Sequence, residues 1–467
     1  MTTLALALVG GSTASAAPLE LAQSDPGITA VGTTLDSLVG GRQADDGTAR
    51  PPVASAPAAS ATPAPTDSGL IASTGGERAR LANVFSSSLG VNVKTSNNTG
   101  AWGQHAKIET ELQRLGARHL RTRLYTNRSA QYAVLRSLAA AGVRSDVIAG
   151  DPTGVGGTPE QLVSTAASQL GSAVESFEGV NEWNFSGHSN WAAEARAHQQ
   201  RLFKAVNASS RTSSIPVLGP AISANSTDQR SVLGDLSAYL DYGNNHLYPG
   251  GRVPSYRIDQ QIDSARIICG NKPVLFTEMG YHNALRDTST HWPTSESVAA
   301  IYGPRLLAEH FARGENRMYL YDLVDDAANS LLNNREDHFG LLRNDLSEKP
   351  VFGALRNLLQ VTADPGASFT PGSLNYSLAG APSDLRHILL QKSNGKFLLL
   401  LWRDVAVWDP VKKVNLAVGA ATIGVRLPST TAVSVFRPSA STSAQATMMT
   451  SAPSVRMGGD LVVLQIG

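Results

Sequence analysis

The sequence predicts an α/β fold: a (β/α)8 TIM barrel followed by a C-terminal antiparallel β-sandwich. Strand-like and helix-like segments alternate from residue 78 to about residue 365, as in a parallel sheet covered by helices. The alternation gives eight strand candidates, which is the number that closes such a barrel. After residue 366 the helical period disappears, and short β-rich runs separated by Gly, Pro, Ser and Asn indicate the sandwich.

The eight strand candidates are short apolar runs. They are, in chain order, Ala82 to Asn92, His119 to Tyr125, Arg144 to Ala149, Ser176 to Asn181, Pro216 to Pro220, Tyr242 to Tyr248, Pro273 to Glu278 and Arg317 to Val324. Between them, one apolar helix pattern stops at Gly116 and another helix starts with a capping box at Thr158. The eighth helix is expected over Lys349 to Leu359. Reactive groups of such a barrel belong at the C-terminal ends of the strands.

Composition and the N-terminus favour an exported protein with a neutral substrate. Lys+Arg 39 and Asp+Glu 38 leave a net charge of +1, so nothing attracts the chain as a whole to nucleic acid or anionic membranes. Residues 1–16 resemble a signal peptide without its basic region, the alternative being an Ala-rich terminus. No apolar run reaches the roughly 18 residues that span a bilayer. We therefore expect a secreted or cell-surface protein, a location compatible with cell-wall association.

The chain divides into four predicted segments. After the signal-like residues 1–16, a Pro-, Ala- and Ser-rich linker covers 17–77, the barrel 78–365 and the sandwich 366–467. The sandwich is expected to support the barrel, since only Trp402 and Trp408 offer it sugar-stacking surfaces, and Trp408 is equally a core candidate. Cys269, the only cysteine, is expected as a small apolar residue at a helix end.

Two glutamates end the fourth and seventh strand candidates. Glu182 follows the apolar part of SFEGVNEWN, and Glu278 follows that of KPVLFTEMGYH. A carboxylate at such a position is costly unless it is paired or used, and a salt-bridged structural role is the alternative for either residue alone. Retaining hydrolysis of a glycosidic bond needs two carboxyl groups about 5 Å apart. Together, the two positions predict a catalytic pair.

The order of these motifs resembles that of the clan A glycoside hydrolases, which include cellulase-like family five and xylosidase-like family thirty-nine. The matching motifs are Asn181-Glu182 after strand four, His246-x-Tyr248 after strand six and Glu278 after strand seven. The resemblance covers roughly Val84 to Leu359 and implies that Glu182 is the acid/base and Glu278 the nucleophile. The sequence departs from many members at Trp183, where they have Pro.

Neighbours of the pair have predicted supporting roles. Asn181 is expected to donate to the sugar 2-OH, with a strand-end cap as its alternative. Tyr248 is expected to hydrogen-bond Glu278, and His246 to bind a substrate hydroxyl or to orient a neighbour. These residues would hold the nucleophile and the sugar in register.

One arginine is expected to keep the nucleophile charged. Arg121 resembles the strand-two arginine of the clan, and a fixed cation there would keep Glu278 ionised. Arg123 lies two residues on and shares its face. An anionic Glu278 would in turn raise the proton affinity of Glu182 and leave it protonated.

Four aromatic side chains in predicted βα loops are candidates to stack on sugar rings: Trp102, Trp183, Tyr281 and Trp292. Several platforms favour a polysaccharide cleft and internal cleavage. The alternatives are an exo-acting β-glycosidase, a transglycosylase and a carbohydrate-binding protein on an inactive barrel. The sequence contains no HExxH, paired-His, GxGxxG or P-loop pattern, so neither a metal nor a cofactor is expected.

Overall fold

The computed structural model describes residues 71–72, 76–222, 227–289, 291–364 and 368–467. The signal-like segment and nearly all of the predicted linker lie outside these residues. Among the described residues, no helix is long and apolar enough to cross a membrane.

Eight parallel strands form the barrel. They are β1 Leu89–Asn92, β2 His119–Arg123, β3 Arg144–Ile148, β4 Val174–Glu178, β5 Val217–Leu218, β6 Gly243–Leu247, β7 Val274–Met279 and β8 Met318–Leu320. Their hydrogen-bonded order runs from β5 through β4, β3, β2, β1, β8 and β7 to β6. A parallel bridge from Leu218 to Tyr242 brings β5 beside β6 and closes the cylinder. The predicted barrel is confirmed.

A helix follows each strand. They are α1 His105–Leu115, α2 Ser129–Ala140, α3 Pro159–Thr165, α4 Trp191–Asn207, α5 Thr227–Leu233, α6 Ile258–Cys269, α7 Glu296–Ala312 and α8 Pro350–Thr362. Gly116 ends α1 in the left-handed conformation (φ +84°), which glycine adopts without steric cost. The capping box at Thr158 forms with Gln161, and Cys269 is buried at the end of α6. These local predictions are confirmed.

The first predicted strand is wrong over its first half. Ala82–Ser86 form a short helix, and β1 begins only at Leu89. Phe85 is buried, and its ring packs edge-on against that of Phe311 in α7, with the centroids 5.0 Å apart. A short apolar run does not distinguish a strand from a buried helical turn, which explains the error.

Antiparallel sheets form the C-terminal sandwich. Its larger sheet contains Leu385–Gln391, Phe397–Arg403, Thr431–Phe436, Ala446–Thr450 and Val462–Ile466, and its smaller sheet contains Ser377–Ala379, Ala421–Arg426 and Ser454–Met457. Short pairs are Ser373–Leu374 with Glu77–Arg78 and Trp408–Asp409 with Val414–Asn415. The described residues form three apolar clusters. One is centred on the barrel, one lies between the sandwich sheets, and a small one joins α7 to Val407 and Trp408.

The segment before the barrel belongs to the sandwich. Ile71–Ala72 pair antiparallel with Ser377 and Leu378, and Arg80–Leu81 run parallel to Leu390 and Gln391. The structure therefore differs from the boundary predicted at residue 78, because these residues pair with C-terminal strands. Two-residue strands have no periodic pattern, so the sequence did not indicate them.

The sandwich packs against α7 of the barrel. Trp402 is fully buried, and its Nε1 donates to Glu309 Oε1 at 2.6 Å. Arg305 Nη1 donates to Val405 O at 3.0 Å. Trp408 is also buried and donates to Pro293 O at 2.9 Å. Both tryptophans thus connect the two domains, and neither offers a sugar-stacking surface.

Candidate active site

Inward-facing side chains from neighbouring strands meet at the C-terminal end of the barrel. Asn92 of β1 pairs in register with Arg121 of β2, and His246 of β6 with Glu278 of β7. Neighbours in register share one face of a sheet, and inside a barrel that face points into the bore. The strands therefore bring together a set of polar groups that are far apart in the sequence.

Arg121 is the hub of this set. A guanidinium has five N–H donors. Nε and Nη2 donate to the two oxygens of Glu178 at 2.7 and 2.6 Å. Nη1 donates to Glu278 Oε1 at 2.6 Å and to Asn92 Oδ1 at 2.9 Å, and Nη2 also donates to Asn181 Oδ1 at 2.6 Å. All five donors are used, so the side chain has one orientation.

Glu278 is held at both carboxylate oxygens. Arg121 donates to Oε1, and the Tyr248 hydroxyl donates to Oε2 at 2.7 Å. Burial would raise the pKa of Glu278, which is only 8% exposed, but the charges of His246 and Arg121 and the Tyr248 hydrogen bond lower it below its ordinary value. Burial and the Glu278 charge raise the pKa of Tyr248 well above its usual value, so its hydroxyl keeps the proton it donates.

Glu182 sits on a strained turn. Its φ of +43° and ψ of +40° lie in the left-handed region, which costs a non-glycine residue about 1–2 kcal/mol. Its N–H donates to Ala221 O at 3.0 Å, and its own carbonyl accepts from Phe185 N. These bonds on either side hold the conformation. The turn brings Glu182 Oε1 to 2.8 Å from His246 Nδ1.

His246 lies between the two glutamates. Its Nδ1 is 2.8 Å from Glu182 Oε1 and 3.5 Å from Glu278 Oε2. One ligand atom from each of the three side chains lies within 4.8 Å of the others. Burial lowers the pKa of His246, but the charges of Glu278 and Glu182 outweigh burial and raise it. Side chains of these types can bind a metal ion or exchange protons, and Glu278 already accepts a hydrogen bond from Arg121.

Two of the four aromatic candidates are held by contacts within the protein. Trp102 is only 4% exposed, and its Nε1 donates to Asp326 Oδ1 at 2.8 Å. Tyr281 packs its ring on Tyr302, with centroids 5.3 Å apart, and donates its hydroxyl to Arg252 O. The prediction for Trp102 is wrong, because its ring is buried. Tyr281 is half-buried, and its stacking role stays a prediction.

The other two aromatic candidates keep part of their surface exposed. Trp183 directly follows Glu182, and its Nε1 donates to Glu194 Oε2 at 2.8 Å. Trp292 carries the Arg252 guanidinium 4.3 Å from its ring centroid, which covers one face. Trp183 is therefore the candidate best placed beside the acid/base glutamate.

Other residues of the site were not predicted. Glu178 lies within the predicted fourth strand, and a charged residue inside a buried run was the signal that could have identified it. Asn92, Asn244 and Thr277 lie on inward-facing strands but have no distinguishing sequence pattern. Arg123, which shares the face of Arg121, contacts only Asp151 among acidic groups, at 3.3 Å.

An aromatic wall around Tyr248 was also missed. The ring centroids of His291, Phe339 and Tyr321 lie 5.2, 5.3 and 6.3 Å from that of Tyr248. Tyr321 directly follows β8. It lies next to the Tyr248 ring, whose hydroxyl donates to Glu278, and so gives the site an apolar side.

Fold and site together give a (β/α)8 barrel with one glutamate after β4 and another at the end of β7, which is the arrangement expected from the sequence. The chain is similar to a family 39 glycoside hydrolase from Bacteroides cellulosilyticus WH2, at TM-score 0.58 and 13% identity, over 83% of this chain and 81% of that one.

Two further solved structures have the same architecture. A glucosidase from Croceicoccus marinus matches at TM-score 0.56 and 13% identity, covering 84% of this chain and 97% of that chain. A monomeric β-xylosidase from Caulobacter crescentus CB15 matches at TM-score 0.53 and 15% identity, with the same coverage of 84% and 97%. No family model and no curated protein matches the chain. At these identities the likeness establishes a shared fold.

Proposed function

We propose that this protein hydrolyses β-glycosidic bonds with retention of configuration, using Glu278 as the nucleophile and Glu182 as the acid/base. The observation that carries the proposal is that two neighbouring carboxyl groups have different hydrogen-bond partners. Glu278 is fixed and ionised by Arg121 and Tyr248. Glu182 lies within 4.8 Å of it and contacts His246. One group is prepared to attack and the other to exchange a proton.

The separation of the two carboxyl groups supports retention. Retaining enzymes place them about 5–5.5 Å apart, whereas inverting enzymes leave roughly 6.5–9.5 Å for a water molecule. With oxygens of Glu182 and Glu278 within 4.8 Å, an attacking water does not fit between the sugar and the second carboxylate. This spacing supports our proposal of a covalent intermediate on Glu278.

The reaction then has two balanced steps. In the first, a Glu278 oxygen bonds to the anomeric carbon while the bond from that carbon to the leaving oxygen breaks, and Glu182 gives its proton to that oxygen. In the second, the Glu182 carboxylate takes a proton from water, whose oxygen attacks the anomeric carbon and releases Glu278. Glu182 is protonated again, and the cycle is closed.

Asn181 is placed to stabilise the transition state. Because its Oδ1 accepts from Arg121, its amide nitrogen faces away from the guanidinium. That nitrogen is our proposed donor to the sugar 2-OH, a bond that strengthens as positive charge develops at the anomeric carbon.

We propose a neutral polysaccharide or oligosaccharide as the substrate. Internal cleavage was favoured by four aromatic platforms, and the burial of Trp102 removes one of them. This observation favours the second candidate, an exo-acting β-glycosidase that uses the same glutamates. Monosaccharide products from the earliest time points would distinguish exo cleavage from the mixed oligosaccharides of internal cleavage.

We also propose that the protein is exported. The support is the sequence alone: an apolar run over residues 4–11 followed by Ala14-Ser15-Ala16.

Glu278→Gln is the direct test of the proposed function. The amide has nearly the shape of the carboxyl group but cannot form the glycosyl ester, so turnover of activated aryl β-glycosides should fall below detection. Glu160→Gln, at an exposed surface ion pair with Arg201, is the matched control and should behave as the unmodified protein. Near-normal activity of Glu278→Gln would remove the nucleophile assignment.

A further inference from the structure

A buried chain of hydrogen bonds connects the backbone of the barrel to Glu182. Asn244 Nδ2 donates to Gly219 O at 3.2 Å, and Thr277 Oγ1 donates to Asn244 Oδ1 at 2.7 Å. His246 Nε2 lies 3.1 Å from Thr277 Oγ1, and His246 Nδ1 lies 2.8 Å from Glu182 Oε1. Asn244, Thr277 and His246 are all buried behind the catalytic pair.

The direction of each bond follows from the one before it. The Gly219 carbonyl can only accept, so the Asn244 amide must turn its nitrogen toward it and its oxygen toward Thr277. The single hydroxyl proton of Thr277 then goes to that oxygen.

The last step of the chain concerns the imidazole. Since the Thr277 oxygen has no second proton to give, it accepts from His246, and Nε2 must carry a proton. In a neutral imidazole the other nitrogen, Nδ1, is then a bare acceptor. That acceptor faces Glu182.

We propose that Asn244 and Thr277 lock His246 in its Nε2–H form, so that Glu182 and His246 hold one shared catalytic proton. In this arrangement Thr277 and His246 are positioning residues for acid catalysis. The inference rests on the proposed function and deepens it, because it specifies how the acid/base group stays protonated at neutral pH.

The short contact between Glu182 and His246 requires that proton. At 2.8 Å, a carboxylate oxygen and a bare ring nitrogen would repel each other through their lone pairs. A proton between them turns repulsion into a hydrogen bond, whichever atom carries it. The geometry of this contact therefore places one proton between the two residues.

Charged groups from three strands face the imidazole. Glu278 of β7 attracts a proton to Nδ1, and Arg121 of β2 opposes it. Glu178 of β4 is a further anion that interacts with His246. These groups surround the pair, but none of them contacts Nε2, so Thr277 alone selects the tautomer.

The proton balance of the first step is simple. The shared proton passes through the Glu182 carboxyl group to the leaving oxygen as the bond to the anomeric carbon breaks and the bond to Glu278 forms. His246 keeps its Nε2 proton throughout. After the proton has left, Glu182 Oε1 and His246 Nδ1 repel each other through their lone pairs. This repulsion favours the uptake of a proton by Glu182 from the attacking water in the second step.

Removing the Thr277 hydroxyl should reverse the tautomer. In Thr277→Val, Nε2 has no acceptor, so a neutral imidazole places its proton on Nδ1 and donates to an ionised Glu182. The pair then holds one proton fewer at neutral pH. Thr277→Ser keeps the hydroxyl and is the matched control.

The experiment compares kcat/KM against pH for two aryl β-glycosides, one with an activated nitrophenyl leaving group and one with a poor phenol. With the poor leaving group, Thr277→Val should lose about 10-fold at neutral pH, the value of one hydrogen bond, and its basic limb should move to lower pH. With the activated leaving group, which needs no proton, its rate should be unchanged. Thr277→Ser should follow the unmodified protein on both substrates.

Two results would overturn the inference. One is a Thr277→Val profile that superimposes on that of the unmodified protein, and the other is an equal loss on both substrates, which indicates a structural role. Either result leaves the proposed function intact if Glu278→Gln is inactive. By contrast, an unmodified protein that cleaves no glycoside would contradict the proposed function itself.

A second measurement does not depend on the Thr277→Val variant, because the proton is located in the unmodified protein. Long-range ¹H–¹⁵N spectra of the full chain, with the His246 signals assigned by their absence in His246→Asn, report which ring nitrogen carries the proton. A protonated Nε2 is expected. An Nε2 without a proton would overturn the inference.

Discussion

Arg121→Gln removes the cation that two buried carboxylates share. Glu178 loses two hydrogen bonds, and Glu278, Asn181 and Asn92 lose one each. Glutamine is too short and has too few donors to replace them. Two of these bonds, to Glu278 and to Asn181, lie at the C-terminal end of the barrel, and both have the charged guanidinium as donor. Each such hydrogen bond contributes about 1.5–3 kcal/mol.

The expected loss of activity follows from these two bonds. Taking the lower figure for each gives about 3 kcal/mol, which corresponds to a fall of roughly 100-fold in kcat/KM. The loss should appear on activated substrates as well, because it concerns the nucleophile and the 2-OH contact.

Stability should also fall, in a way that depends on pH. Removing one partner of a buried ion pair costs about 3–5 kcal/mol at neutral pH. In the folded protein the pKa values of Glu178 and Glu278 are lowered, chiefly by Arg121 for Glu178 and by His246 and Arg121 for Glu278, against the opposing effect of burial. Depressed carboxyl pKa values contribute stability above the unfolded-state pKa, and this contribution is lost as pH falls through the folded pKa. The difference between Arg121→Gln and the unmodified protein should therefore shrink in acid.

Arg123→Gln is the matched control. Arg123 is buried on the same strand face, but its one acidic contact is Asp151, at 3.3 Å. Steady-state kinetics and denaturant unfolding at neutral and acidic pH would be measured for both variants. Our reasoning would be refuted if Arg123→Gln lost as much activity as Arg121→Gln, or if Arg121→Gln kept full activity.

Two further predictions concern the acid/base group and the location of the protein. Glu182→Ala should spare the first step with an activated leaving group but slow release of the glycosyl intermediate, and azide should restore the rate by attacking it; absence of rescue would count against the role of Glu182. In a bacterial expression host, the full chain should be found outside the cytoplasm, with a new N-terminus close to residue 17 by Edman sequencing, whereas an intact N-terminus in the cytoplasm would contradict export.

Local signals allowed much of the barrel and its two glutamates to be predicted. Glu182 and Glu278 were identified because each follows a buried strand, and the end of a strand is visible in the sequence. Gly116 and Thr158 likewise mark helix ends through their own backbone chemistry. In each case the information lies within a few residues of the feature.

Features that depend on distant contacts could not be predicted. Trp102 was expected to be exposed, but its burial depends on Asp326, more than 200 residues away. The helix at Ala82–Ser86 forms because Phe85 packs on α7. The tautomer of His246 depends on Thr277 and Asn244, two residues with no sequence motif. These groups meet only when the chain folds, so a local sequence pattern does not indicate their contacts.

Residues 71–72, 77–78 and 80–81 pair with C-terminal strands, and this pairing has a consequence for biosynthesis. The ribosome releases this segment before any barrel strand, yet the partners of Arg80 and Leu81 are Leu390 and Gln391. The sandwich cannot be completed until the entire barrel has been translated, so the two domains mature together. A shortened gene that ends after α8 would leave these early residues without their pairing partners. It would also expose the apolar surface of α7 that Trp402 covers. A truncated variant should therefore retain both the segment that begins at residue 71 and the sandwich.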